Sequence, residues 1–181
     1  IENVDYHEII LPRFLKASER KGFGDNLFRD WRYNNEDTPK QDFVLNNPIY
    51  NGRILVGGKN FGSGSSREHA AWAIYDYGFR CVISSFFADI FKGNSLNIGI
   101  LPVTVSEAFL DKIFKAIEAD PKTELEVNLP EQKVTILATG ESEGFDINGY
   151  KKHNLMNGFD DIDYLQNMKT EIAAFAEKSI Y

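Results

Sequence analysis

The feature that most constrains the fold is the stretch from residue 53 to residue 105, where short apolar runs alternate with segments of helical pattern. Three runs have the length and composition of buried strands: "RILVGG" (53–58), "CVISS" (81–85) and "GILPVTV" (99–105). The intervening segments, residues 66–77 and "SFFADIFKGN", are predicted to be helices, and glycine at position 78 ends the first. Strands with interleaved helices predict a mixed α/β domain.

The second half of the chain adds further predicted elements. Residues 106–119 have the spacing of an amphipathic helix with Ser106 as its N-cap. Apolar and polar residues alternate with period two through residues 123–138, on either side of "PEQ". This pattern predicts a β-hairpin with one face exposed to solvent. The stretch "GFDIN" (144–148) is a candidate further strand. Helical spacing from residue 162 to residue 175 predicts that the chain ends in a packed helix.

Residues 1–50 are irregular and rich in aromatic side chains. A segment this long without regular structure is often functional, and residues 13–33 are the candidate part for closing over a ligand. The alternative is that the aromatic side chains of this segment pack beneath it. We find no internal repeat and no low-complexity linker, so residues 1–181 are predicted to form a single domain.

Composition and charge exclude several classes of function. The chain is 43% apolar and carries a net charge of −7, which disfavours a nucleic-acid partner because phosphate binding needs clustered Lys and Arg. No apolar run approaches the roughly 20 residues of a membrane span, so no membrane partner is expected. The single cysteine, Cys81, cannot form an internal disulfide or a thiolate metal site by itself. This fits a reducing, cytoplasmic location.

The turn "GGKNFGSGSSREH" (57–69) is the candidate functional site. Its spacing fails the P-loop, dinucleotide-binding and nucleophile-elbow patterns. One interpretation is structural, with Ser65 as the N-cap of the following helix and Glu68 completing a capping box. The other is a binding site. The free N–H groups of the helix start and the forked guanidinium of Arg67 suit a small carboxylic acid, and the glycines let the backbone approach it closely.

The same region is similar in sequence to a known family. The strings "NFGSGSSREHAAWAIYDYGFRCVI" and "SFFADIFKGNSLNIGILPV" resemble the small subunits of 3-isopropylmalate dehydratase, in the aconitase superfamily. The likeness continues in "GFGDNLFRDWRY", "DFVLNNPIY" and "KKHNLMNGFDDI". It implies an α/β fold, a swivelling β/β/α three-layer domain with a mixed sheet, flanking helices and a β-hairpin.

The resemblance also implies an activity and a partner. Small subunits of this family bind no cofactor themselves; a [4Fe–4S] cluster sits on a separate large subunit, and the active site forms between the two chains. The pair interconverts 2-isopropylmalate and 3-isopropylmalate by dehydration and rehydration, in leucine biosynthesis. The isolated chain is therefore expected to be inactive. Two alternatives are the small subunit of a related hydro-lyase acting on homoaconitate, citraconate or dimethylmalate, and a non-catalytic carboxylate-binding module.

Site residues follow from the resemblance by motif position. Ser65 matches the serine that acts as base, and Arg67 matches the arginine that holds a substrate carboxylate. Ser66 matches a neighbouring polar contact, and Gly64 completes the predicted substrate-binding set. His69 is expected to be structural. Residues 13–33 become the candidate segment for recognising the isopropyl group.

The start of the chain departs from the family pattern. Where the family has Asn-Val-Asp-Thr-Asp followed by Ile-Ile-Pro, this chain reads "NVDYH" at residues 3–7, and Pro12 is displaced by one position. The second aspartate of the family pattern lies at the active site. Three interpretations stay open: His7 takes over a polar role, the local register differs, or this copy is impaired. His7 is not counted among the catalytic residues.

Overall fold

The structure, a computed structural model, describes residues 1–15, 22–64, 67–159 and 161–178. It divides into two compact units, Ile1–Asp146 and Ile147–Tyr181. The β-sheets of the described residues all belong to the first unit. None of the described helices is both long enough and apolar enough to cross a membrane.

The described part of the first unit contains α-helices, β-strands and short 3₁₀ turns. Its helices are α1 (Tyr6–Ile9), α2 (Arg29–Arg32), α3 (Glu68–Tyr77), α4 (Asp89–Asn97) and α5 (Glu107–Ala119). Its strands are β1 (Ile54–Val56), β2 (Cys81–Ser84), β3 (Leu101–Thr104), β4 (Leu125–Asn128), β5 (Lys133–Ile136) and β6 (Ser142–Gly144). The 3₁₀ turns are Pro12–Phe14, Gly24–Asn26 and Val44–Asn46.

A parallel sheet of order β1-β2-β3 forms the centre of this unit. Its register pairs Ile54 with Cys81, and Cys81 with Leu101. All four residues of the central strand β2 are buried, as expected for a strand covered on both faces. Since the strands are parallel, the segments that follow β1, β2 and β3 all leave from one edge of the sheet. That edge carries the candidate site.

An antiparallel sheet of order β4-β5-β6 lies in the same unit. The predicted hairpin is confirmed, with Asn128 paired to Lys133 across its turn. The strand predicted at 144–148 is wrong in position, because β6 ends at Gly144, opposite the first residue of β5. The predicted α/β class with flanking helices and a hairpin is confirmed. Among the described strands, the parallel and antiparallel ones lie in two separate sheets.

The N-terminal end of α5 is fixed by two side chains. Ser106 is the N-cap, as predicted, and its Oγ accepts a hydrogen bond from the N–H of Phe109 at 3.1 Å. The Ser106 N–H and hydroxyl in turn donate to the two carboxylate oxygens of Glu143 on β6, at 2.5 and 2.6 Å. One carboxylate therefore ties the antiparallel sheet to the segment that follows β3.

The aromatic side chains of the N-terminal segment pack inward where the structure describes them. Phe23 and Phe28 are both buried, and Phe28 stacks on the half-buried Trp31 with 5.2 Å between ring centroids. The Asp76 carboxylate on α3 anchors the segment by accepting hydrogen bonds from the backbone of residues 22 and 24, at 2.9 and 2.8 Å. Of the two interpretations of the aromatic residues, these contacts favour core packing. Residues 16–21 of the candidate closing segment lie outside the described residues.

The second unit consists, in its described part, of α6 (Gly149–Asn157), α7 (Asp161–Asn167) and α8 (Lys169–Lys178). The single packed terminal helix predicted over this region is wrong, because the chain forms two helices there. Within α8, Ile172 and Phe175 are 48% and 74% exposed, so their apolar face is not packed against the described residues of this unit. Helical spacing predicts an apolar face but cannot say whether another element covers it.

The Cys81 thiol gives the first testable prediction, since burial raises its pKa from an ordinary 9.0 to about 12. Below about pH 9 the thiol is protonated in both the folded and the unfolded chain. Above that pH the unfolded chain loses the proton first, so the free energy of unfolding falls as the pH rises from about 9 to about 12. The expected slope from this group is about 1.4 kcal/mol per pH unit.

Urea unfolding of the wild type and of Cys81→Ala across pH 8–12 measures this slope. Other groups that titrate in this range affect both proteins, so the difference between the two curves isolates the thiol. A difference that stays constant with pH would contradict the prediction.

Candidate active site at the edge of the parallel sheet

The candidate site begins at the turn that follows β1, residues 57–64. Gly57 donates its N–H to the carbonyl of Ile83 on β2 at 2.9 Å, which extends the sheet pairing by one residue. The buried hydroxyl of Ser84 lies 2.7 Å from the carbonyl oxygen of Gly58. The turn is therefore bound to the end of the central strand and does not extend freely into solvent.

Two glycines in the turn have positive φ and lie close to other segments. Gly62 has φ +76°, and a Cβ there would come within 2.3 Å of the Phe91 ring. Gly64 has φ +87°, and a Cβ there would come within 2.4 Å of the carboxylate Oδ2 of Asp5. Both positions need glycine because of the backbone conformation and also because of the space available.

The N-terminal segment is hydrogen-bonded along this turn. The N–H groups of Gly62 and Ser63 donate to the carbonyl of Val4 at 2.9 and 3.1 Å, and the N–H of Tyr6 donates to the carbonyl of Ser63 at 3.1 Å. The residues that depart from the family pattern therefore lie directly beside the candidate site.

Asp5 is the central side chain of that contact. It is the N-cap of α1, accepting from the His7 N–H at 2.8 Å, and its own N–H donates to the Glu8 carboxylate at 2.8 Å. The Nδ1 atom of His7 lies 3.1 Å from Oδ1 of Asp5, while Oδ2 of the same carboxylate faces Gly64. His7 is exposed, so a polar ring stands at the rim of the site.

The structure corrects the predicted start of the following helix. Arg67 is the N-cap of α3, in an extended conformation with φ −102° and ψ 155°, and its side chain makes no capping hydrogen bond. The helix therefore begins at Glu68, two residues later than predicted, and Glu68 is its first residue. The capping box from Ser65 to Glu68 does not fit this register. Ser65 and Ser66 themselves lie outside the described residues.

The charges around the turn are distributed unevenly. Lys59 lies 2.5 Å from the Glu107 carboxylate at the start of α5, and its pKa is raised by that hydrogen bond and by the negative charge of the same group. Arg67 is exposed, and its guanidinium has no hydrogen-bond or ion-pair partner among the described residues. Arg67 is therefore available to an anion at the N-terminal end of α3, whereas Lys59 is already paired.

His69 packs as a core-side residue of α3. Its ring lies 4.6 Å from the Trp72 ring and 5.5 Å from the Phe23 ring, centroid to centroid. Its buried Nδ1 has no hydrogen-bond partner within the described ranges. This position fits the structural role expected from the sequence.

The residues of this chain do not fit an iron–sulfur cluster. Such a cluster requires several thiolates, and the chain has one cysteine, which is buried in β2. In the part of the chain that the structure describes, no group of three or more His, Cys, Asp or Glu side chains could hold a metal ion.

Comparison with known families assigns the chain to a class. A family model described as the aconitase C-terminal domain matches residues 1–108, and a second, described as LeuD_N, matches residues 111–149. The first match includes the whole parallel sheet and the glycine-serine turn. The fold and the site together define a domain of the aconitase C-terminal type.

Individual relatives define the family more closely. The chain is 61% identical over its full length to a 3-isopropylmalate dehydratase small subunit from Cytophaga hutchinsonii, covering 90% of that protein. It is 56% identical to a protein of the same name from Christiangramia forsetii, over 98% of this chain and 86% of that protein. The chain belongs to the family of 3-isopropylmalate dehydratase small subunits.

A solved structure supports the fold independently. The crystal structure of 3-isopropylmalate dehydratase from Methanocaldococcus jannaschii aligns with a TM-score of 0.69 over 96% of this chain and 92% of that chain. The two sequences are 23% identical, so the comparison concerns the fold alone.

Sequence reasoning missed the contact between Asp5 and the turn. The spacing Asp5-x-x-Glu8 is itself a capping-box pattern and could have located α1. No local pattern indicates that the Asp5 carboxylate faces Gly64, because the two residues are far apart in the chain and meet through backbone pairing.

Replacing Gly64 with alanine tests the close approach. Gly64→Ala is expected to destabilise the protein more than Gly140→Ala, which is the matched control. Gly140 also has positive φ, +73°, but a Cβ there would meet nothing within 4 Å. The control should lose about 1–2 kcal/mol, from backbone conformation alone. Equal losses in urea unfolding would show that Asp5 does not crowd Gly64.

Proposed function

We propose that this chain is the small subunit of a 3-isopropylmalate dehydratase and that, with a large subunit, it interconverts 2-isopropylmalate and 3-isopropylmalate in leucine biosynthesis. The observation that carries the proposal is the 61% identity over the full chain to a small subunit of that name. The geometry supports the proposal, since the exposed Arg67 is the N-cap of α3 and follows a closely packed glycine turn.

Arg67 is the proposed carboxylate-binding residue. Its guanidinium can hold a carboxylate with two parallel hydrogen bonds, and the dipole of the ten-residue helix α3 adds positive potential at the same place. Removing a proton from the carbon next to a carboxylate builds negative charge on that carboxylate. Arg67 would therefore stabilise the transition state more than the bound substrate.

Ser65 is the proposed base, with Ser66 and Gly64 as further substrate contacts. A serine hydroxyl is a weak base in water, so it requires nearby positive charge to stabilise its alkoxide. The helix N-terminus and Arg67 provide that charge, because Ser65 precedes Arg67 by two residues. Gly64 belongs to the proposed substrate-binding set through its backbone, because the Asp5 carboxylate occupies the side where a Cβ would lie.

The large subunit completes the proposed site. Departure of the substrate hydroxyl requires a Lewis acid. We assign this acid to the large subunit, which would carry the [4Fe–4S] cluster, since the residues of this chain do not fit a cluster. The small subunit by itself should then be inactive. We further propose that residues 1–181 act together as one swivel domain and that the enzyme works in the cytoplasm.

Assay of the reconstituted pair tests the function directly. The chain is mixed with its cognate large subunit under anaerobic conditions and assayed with 2-isopropylmalate, and with homoaconitate, citraconate and dimethylmalate as competing substrates. Preference for one of the others would reassign the substrate. Ligand binding by the small chain that is unaffected by the large subunit would indicate a non-catalytic module.

Arg67→Lys tests the role of the forked guanidinium. The variant keeps the positive charge but loses the two-pronged geometry, so we expect kcat/KM of the assembled enzyme to fall roughly 10²-fold. Arg53→Lys is the matched control, because Arg53 is exposed and precedes β1, at the opposite end of that strand. Near-normal turnover by Arg67→Lys would remove Arg67 from the site.

Ser65→Ala tests the base. Exchange of the substrate carbon-bound proton with deuterated solvent should fall by roughly 10²- to 10⁴-fold, the usual contribution of a positioned base. The free energy of unfolding should change by at most about 1 kcal/mol. Ser142→Ala, an exposed serine on β6, is the control. Exchange at the wild-type rate would assign Ser65 a structural role instead.

A further inference from the structure

We propose that Phe86 and Ile90 form part of the surface through which this chain binds the large subunit. The inference rests on the proposed function, which makes a cluster-bearing large subunit the partner. The inference specifies the part of the small subunit to which that partner binds.

Both side chains are large, apolar and about half exposed. Phe86, in the loop after β2, is 52% exposed, and Ile90, in the first turn of α4, is 55% exposed. Their neighbours Phe87 and Phe91 are 4% and 0% exposed and belong to the core. Core packing therefore accounts for Phe87 and Phe91 but leaves Phe86 and Ile90 exposed to solvent. Exposed apolar side chains that cluster mark interaction sites.

The pair lies against the turn of the candidate site. The N–H of Phe61 donates to the carbonyl of Phe86 at 3.0 Å, and the N–H of Ala88 donates to the carbonyl of Phe61 at 3.2 Å. One helical position beyond Ile90, Phe91 fills the space beside Gly62 where a Cβ would otherwise sit. The backbone of Phe86 is thus bonded directly to the turn through Phe61, which is itself buried.

The contact with the turn identifies the occupant. The proposed reaction needs an acid that this chain does not supply, so the partner must reach the turn that ends at Arg67. A specific interface buries about 800 Å² on each partner, which is more than a few turn residues provide. The partner therefore extends onto the adjoining surface, and exposed aromatic residues beside a site are the type that contributes most to such interfaces.

Leu137 provides a matched control on the same unit. It is 50% exposed, like the proposed pair, but it follows β5 on the antiparallel sheet. Its backbone N–H pairs with Glu124, so it belongs to that sheet and not to the turn after β1. The substitution Leu137→Ser removes a similar amount of exposed apolar surface and leaves the proposed interface unchanged.

The experiment compares the wild type, the double variant Phe86→Ser/Ile90→Ser, and Leu137→Ser. The dissociation constant for the large subunit is measured anaerobically by titration calorimetry, and activity is measured as a function of large-subunit concentration. We expect the double variant to bind at least tenfold more weakly and to recover wild-type kcat when the large subunit is raised to saturation. Leu137→Ser should match the wild type in both measurements. Thermal unfolding of each chain confirms that the variants fold.

The outcomes separate the two proposals. An unchanged dissociation constant for the double variant, with an active wild-type pair, overturns the interface and leaves the proposed function standing. A wild-type pair that associates tightly but does not convert isopropylmalate overturns the function, and weaker binding by the double variant would still support the interface. No association of the wild type overturns both. If sedimentation shows that the double variant loses self-association while large-subunit binding is unchanged, the occupant is a second copy and the inference is wrong.

Discussion

The backbone pairing of one glycine-containing turn determines how the site is assembled. Residues 57–64 bond on one side to the end of β2 and on the other to Val4 and Tyr6 of the N-terminal segment. Each bond satisfies a main-chain group that would otherwise be costly to bury. Because three segments distant in the sequence share these bonds, the turn is held between the central strand and the N-terminal segment.

The parallel sheet makes this arrangement possible. A buried central strand with partners on both sides fixes where the chain emerges after β1 and β2, and it does so at one edge. The pairing of Lys59 with Glu107 then leaves Arg67 as an exposed cation at the same edge. Strand register and local electrostatics therefore act together, so that an exposed arginine and the N-terminus of α3 follow a turn that is bonded on both sides.

Much of this fold could be predicted because its signals are local. Short apolar runs located the strands of the parallel sheet, alternation located the hairpin, and Ser106 marked the start of α5. The start of α3 was misplaced because the Ser-x-x-Glu spacing is only a local preference, and the structure instead has Arg67 as the N-cap in an extended conformation. The crowding of Gly64 by Asp5 could not be inferred, since periodicity carries no information about which distant segments meet.

The packing around Gly62 and Gly64 also bears on how such a site can diversify. A larger residue at Gly62 would displace the Phe91 ring, and one at Gly64 would displace Asp5 and Tyr6 of the N-terminal segment. Divergence of substrate preference within this architecture is therefore expected to proceed through the surrounding loops and the partner subunit. The turn itself would then change slowly and would be common to enzymes that act on different acids.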